Sequence, residues 1–131
     1  MKIHHVGIAV ESLRSAVPIF EKLLARAPRW EETVHDQKVQ VAVFELEGSR
    51  IELLEATAAD SPVARFVSKR GQGIHHLTLT VPDISKSLAE LAAVGISPID
   101  QKPRTGAAQE RIAFLDPRST CGVLIELVEE K

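Results

Sequence analysis

The sequence predicts an α+β chain: two copies of a βαβββ module whose strands pair into one cupped mixed sheet, with the helices outside. Three observations carry this reading. Ile3-His4-His5-Val6-Gly7-Ile8-Ala9-Val10 returns as Ile74-His75-His76-Leu77-Thr78-Leu79-Thr80-Val81, an offset of 71 residues from His5 to His76. Arg50-Ile51-Glu52-Leu53-Leu54-Glu55 returns as Leu124-Ile125-Glu126-Leu127-Val128-Glu129, an offset of 74 from Glu52 to Glu126. Period-two and helical patterns follow one another in the same order in both halves. The modules cover 3–56 and 74–129 within one domain, 1–131, and a helical linker over 57–72 joins them.

Residues 3–10 read as a strand. Ser12 is a helix N-cap, and Leu13, Val17, Phe20, Leu23 and Leu24 recur at helical spacing. Pro18 inside that pattern predicts a late start or a kink. Residues 29–35 form a weak strand, and His35-Asp36-Gln37-Lys38 a turn. Val39, Val41 and Val43 alternate with Gln40, Ala42 and Phe44 as a strand, and Glu47-Gly48-Ser49 turns it into strand 50–55. The linker helix opens at Asp60-Ser61-Pro62 and closes at Lys69-Arg70-Gly71. Strand 73–81 follows. Asp83 or Ser85 caps a helix carrying Ile84, Leu88 and Leu91, which Gly95 ends. Strand 96–100 leads into a basic loop, Lys102-Pro103-Arg104-Thr105-Gly106-Ala107-Ala108. Residues 111–115 are a strand, 116–119 a turn, and 122–129 the last strand.

Composition narrows the function classes. At 44% apolar, 131 residues can bury a core without staples. A net charge of −2 gives no basic surface for nucleic acid. One cysteine, Cys121, permits no internal disulfide and fits a cytoplasmic protein; it reads as a small buried or edge residue. No apolar run suggests a membrane span.

Strand parity sorts the chemistry. Val6, Ile8 and Val10 share a face with His4, while His5, Gly7 and Ala9 lie opposite. Leu77, Leu79 and Val81 share a face with His75, while His76, Thr78 and Thr80 lie opposite. One face suits helix packing, and the other carries one histidine per copy. Glu52 and Glu126 alternate with apolar neighbours in the same way. If the copies pair about a pseudo-twofold, His5, Glu52, His76 and Glu126 converge, and two imidazoles with two carboxylates suit a divalent metal. A repeat can also reflect duplicated packing, so the residues alone leave both readings open. His4 and His75 read as structural or surface groups. Glu45, Glu47, Glu55, Glu129 and Glu130 read as solvated charges.

These motifs resemble the methylmalonyl-CoA epimerase family of the vicinal oxygen chelate (glyoxalase/dioxygenase) superfamily, end to end. The most specific are the linker running from Asp60-Ser61-Pro62 through Phe66 to Gly73-Ile74-His75-His76, and the ending Phe114-Leu115-Asp116-Pro117-Arg118-Ser119 with Gly122-Val123-Leu124-Ile125-Glu126-Leu127. The resemblance implies a paired βαβββ fold, a homodimer, and interconversion of (R)- and (S)-methylmalonyl-CoA through loss and return of the C2 proton. It places the metal ligands on His5, Glu52, His76 and Glu126, with Co2+ first and Zn2+, Mn2+ or Ni2+ as alternatives. Glu126 is the first candidate proton carrier; Glu52, a water or another loop group is the candidate for the second. Lys69, Arg70, Lys102, Arg104 and Arg118 are candidates to meet the CoA phosphates. The sequence departs from the family's pattern at three places. Val41 stands where some relatives place a catalytic Glu, Asp116 where His is common, and Ala107-Ala108 where Gly-Gly is frequent. A glyoxalase-I-type lactoylglutathione lyase and a non-enzymatic binder of the same superfamily are the rival readings.

Overall fold

The structure, a computed structural model, describes residues 1–130. The elements run β1 (Ile3–Ala9), α1 (Leu13–Leu24), β2 (Trp30–Val34), β3 (Val39–Leu46), β4 (Ser49–Ala56), α2 (Pro62–Arg70), β5 (Gly73–Val81), α3 (Ile84–Ala93), β6 (Arg104–Thr105), β7 (Arg111–Phe114) and β8 (Ile125–Glu129). Each half therefore repeats strand, helix and three strands, as the sequence predicts. The hydrogen-bonded strand order is β2-β3-β4-β1-β5-β8-β7-β6, a mixed eight-stranded sheet. The chain divides into two compact units: His5–His75, and Met1–His4 together with the residues from His76 onward.

In the first unit β1 runs parallel to β4, and β3 runs antiparallel to both β4 and β2. One face of this sheet meets α1. Val10, Leu13, Ala16, Ala42, Phe44 and Leu53 are buried there, with Ile8, Val17, Phe20, Leu24 and Ile51 packed against them. Helix α1 begins at Leu13 and continues through Pro18, so the predicted late start does not occur. Two groups account for the early start. Ser12 accepts from the Ser15 amide at 3.4 Å, and Glu55 from β4 accepts from the Leu13 amide at 2.6 Å. Both satisfy amides that have no partner inside the helix. Ser61 and Gly71 cap α2, as predicted. The turn at 35–38 is a short 3-10 turn, and Lys38 ends it with a left-handed backbone.

The second unit repeats the plan. β5 runs parallel to β8, and β7 runs antiparallel to β8 and β6. Val81, Ile84, Leu88, Ala113, Leu115 and Leu127 form its core against α3. Asp83, not Ser85, caps α3. Glu129 accepts from the Ile84 amide at 3.0 Å, the counterpart of Glu55 at Leu13. Glu55 and Glu129 are thus helix-capping groups rather than solvated charges.

Three further expectations are corrected here. Residues 96–100 are not a strand. Pro98 makes only an isolated bridge to Leu115, and the Asp100 side chain takes the Phe114 amide at 2.7 Å. Proline has no amide to extend a ladder, and the module's second strand forms later, at β6. The last strand starts at Ile125 rather than 122, because Cys121 and Gly122 take left-handed backbones at φ 61° and 83°. Cys121 itself is exposed. In the loop before β7, Ala108 is left-handed at φ 56°, a conformation glycine adopts without the cost a Cβ imposes.

Candidate metal centre and active site

The face opposite α1 carries the first set of polar groups. Glu52 stands opposite Gly7 in the β1–β4 register and opposite Val43 in the β3–β4 register. Paired strand residues share a face, so Glu52, Val43 and Trp30 form one row, with Leu54, Val41 and Glu32 in the next. His5 and Glu52 are both buried, and His5 Nδ1 lies 3.4 Å from Glu52 Oε2. Val41 is buried, and it offers nothing that moves a proton. Glu32 lies across from it on β2 and accepts from the Trp30 indole at 2.6 Å. The Arg50 guanidinium lies 5.1 Å from the centre of the Trp30 ring.

The second unit builds the matching face with different neighbours. Glu126 stands opposite Thr78 and Phe114. His76 Nε2 lies 3.6 Å from Glu126 Oε1, and the Thr78 hydroxyl donates to that same oxygen at 2.6 Å. His76, Thr78 and Glu126 are all buried. The Phe114 ring meets His76 edge-on, with ring centres 5.8 Å apart. Asp100 accepts from the Phe114 amide and from Arg104, tying the loop to this row.

Each unit thus buries one histidine beside one glutamate, His5 with Glu52 and His76 with Glu126. An imidazole beside a carboxylate, each at most 5% exposed, offers donors suited to a divalent transition ion. Burying that many ionisable groups opposes folding unless they are paired or bound, so the grouping fits a metal.

The predicted cations fall in three different settings. Arg104 is half-buried, opposite Ile112 on β6, so it shares the face of Glu126. Arg118 is 92% exposed and binds Asp116 at 2.7 Å. That guanidinium, with the Arg118 amide, holds the Asp116 carboxyl below the usual carboxylate range. The negative charge that departs from the family's pattern is therefore matched within its own turn. Lys69 and Arg70 end α2, where the Arg70 guanidinium lies over the Phe66 ring. Lys102 is exposed. His4 pairs with Glu110 at 3.2 Å, and His75 meets Phe66 edge-on, so both have structural contacts.

Sequence reasoning gave no role to Thr78, Phe114, Asp100 or Glu32. Thr78 was within reach of it, since parity puts that hydroxyl on the face of His76. The others depend on register between strands far apart in the chain, which one sequence does not display.

A profile of the glyoxalase/bleomycin resistance protein/dioxygenase superfamily matches residues 4–114. The chain belongs to this superfamily. It is 43% identical to an uncharacterized Bacillus subtilis protein, YqjC, over 99% of this chain and 93% of that one. It is 34% identical to the Mycobacterium tuberculosis methylmalonyl-CoA epimerase, whose crystal structure matches with a TM-score of 0.93 over 98% of this chain and 87% of that one. A variant of the Streptomyces coelicolor methylmalonyl-CoA epimerase in complex with 2-nitronate-propionyl-CoA is 31% identical. It matches with a TM-score of 0.94 over 99% of this chain and 94% of that one. The superfamily and the fold expected from the motifs are thus found.

Proposed function

We propose that this chain interconverts (R)- and (S)-methylmalonyl-CoA by removing the proton at C2 and returning one to the opposite face. In this reading one divalent ion is held by His5, Glu52, His76 and Glu126. The observation that carries the proposal is the buried histidine–glutamate pair in each unit, His5 with Glu52 at 3.4 Å and His76 with Glu126 at 3.6 Å. The similarity to methylmalonyl-CoA epimerases at 31–34% identity over nearly the whole chain supports the substrate.

The reaction asks for two things from the residues. The proton leaves a carbon flanked by a thioester and a carboxylate, so negative charge builds on the thioester oxygen. When bound, a divalent ion supplies the Lewis-acid stabilisation this charge needs, worth several kcal/mol. The chain's own carboxylates then carry the protons. Glu126 is the first carrier and Glu52 the second, since Val41 cannot serve. Arg104 is placed to meet an anionic part of the substrate, with Lys69, Arg70 and Arg118 further candidates for the CoA phosphates. Co2+ is the first choice of ion, ahead of Zn2+, Mn2+ and Ni2+. A homodimer in the cytoplasm completes the reading, the first part from the family resemblance and the second from the single cysteine.

The superfamily match also admits a glyoxalase-I-type lyase. Parallel assays on methylmalonyl-CoA and on the hemithioacetal of methylglyoxal with glutathione separate the two. Epimerisation that depends on added metal, with no lyase turnover, supports the proposal, and the reverse pattern overturns it. Purified protein that takes up no divalent ion and turns over neither substrate points instead to a non-enzymatic binder.

A further inference from the structure

We propose that Thr78 is a positioning residue of the metal centre, its hydroxyl holding the Glu126 carboxylate in the orientation that meets the ion. The inference rests on the metal-dependent reading above and deepens it. Thr78 is wholly buried, directly opposite Glu126 in the β5–β8 register. Its Oγ1 donates to Glu126 Oε1 at 2.6 Å. The Thr78 hydroxyl is the donor and the carboxylate oxygen the acceptor. His76 Nε2 approaches the same oxygen at 3.6 Å. The last torsion of a glutamate is broad by itself, and the Thr78 bond restricts it where two buried groups converge.

The first module argues that this hydroxyl serves the site rather than the fold. The residue opposite Glu52 in the same register is Gly7, which has no side chain to donate. The first module thus has a glycine at the position where the second has the Thr78 hydroxyl. Partners of this kind behind a metal ligand commonly change affinity by about 10–100-fold.

The test compares wild type, Thr78→Val and Thr78→Ser as metal-free proteins titrated with Co2+, reading the dissociation constant and the visible absorption of the bound ion. Valine keeps the shape and removes the hydroxyl, whereas serine keeps the hydroxyl. Thermal unfolding of each metal-free protein checks the fold, and Thr78→Ala replaces the valine variant if that one does not fold. The expected result is roughly 10–100-fold weaker Co2+ binding with an altered absorption envelope in Thr78→Val, and near wild-type behaviour in Thr78→Ser. Wild-type affinity and spectrum in Thr78→Val overturn the proposal, as does an equal loss in Thr78→Ser. The wild-type titration reports separately on the reading beneath it: a wild type that binds no Co2+ overturns the metal centre itself, before any variant is considered.

Discussion

The two modules place the same histidine–glutamate pair on the same register and then surround it differently. Beside Glu52 stand Gly7 and Val43, and beside Glu126 stand Thr78 and Phe114. At the outer strand the first module presents Glu32 opposite Val41, and the second presents Arg104 opposite Ile112. What the copies share is the scaffold and the histidine–glutamate pair. What they do not share is the residue opposite the glutamate, Gly7 or Thr78, and the charge on the outer strand, Glu32 or Arg104. In the proposed reading the repeat supplies the ligands, and the different neighbours set the two carboxylates apart in role.

The sharpest way to break this comparison is to remove one imidazole. His76→Ala is expected to lose bound metal and proton exchange together, with exchange falling by at least ~100-fold. Metal analysis beside an exchange assay checks it, and an active, metal-free variant would end the chelation account.

Next in size is the pair Glu126→Gln and Glu52→Gln. Glu126→Gln is expected to keep some metal yet lose about 10²–10⁴-fold in proton exchange, and Glu52→Gln is expected to lose less. Equal losses would mean that the different surroundings of the two carboxylates have no consequence for proton transfer.

How far these features were legible follows from where their signals lie. His5 and His76, with Glu52 and Glu126, sit inside repeated words, so one chain displays them twice and period-two alternation sorts their faces. Ser61, Gly71 and Asp83 were readable because capping is local chemistry. The strand expected at 96–100 was not there, since Pro98 and the Asp100 side chain act through contacts to Leu115 and Phe114. Glu55 and Glu129 looked like solvated charges because their partners, Leu13 and Ile84, are 42 and 45 residues away. Thr78 was sorted to the right face, but the 2.6 Å bond that gives it a role depends on register with β8.

Those two glutamates allow a smaller test on stability. Glu55→Ala and Glu129→Ala are each expected to cost about 1 kcal/mol through loss of a carboxylate at a helix start. Glu129 also holds Arg111 at 3.0 Å, so its substitution disturbs a second contact. Denaturant unfolding of both variants measures the difference. No loss in either would return both residues to the status of solvated charges.

The smallest effect concerns Asp116. Arg118 depresses its pKa in the folded chain, so the carboxylate contributes stability above its unfolded value, and this is lost as pH falls through the folded one. Arg118 is almost fully exposed, so water screens the pair and the contribution is slight. Asp116→Asn is expected to be slightly less stable than wild type near neutral pH, with the gap closing at acid pH. Parallel unfolding curves across that range check it, and a gap that widens on acidification contradicts the assignment.

The central claim is tested most directly by proton NMR of methylmalonyl-CoA in D2O, with this protein and with or without Co2+. The account predicts washout of the C2 proton signal that requires both protein and metal. Washout no faster than in buffer, with the metal site shown to be filled, would contradict it.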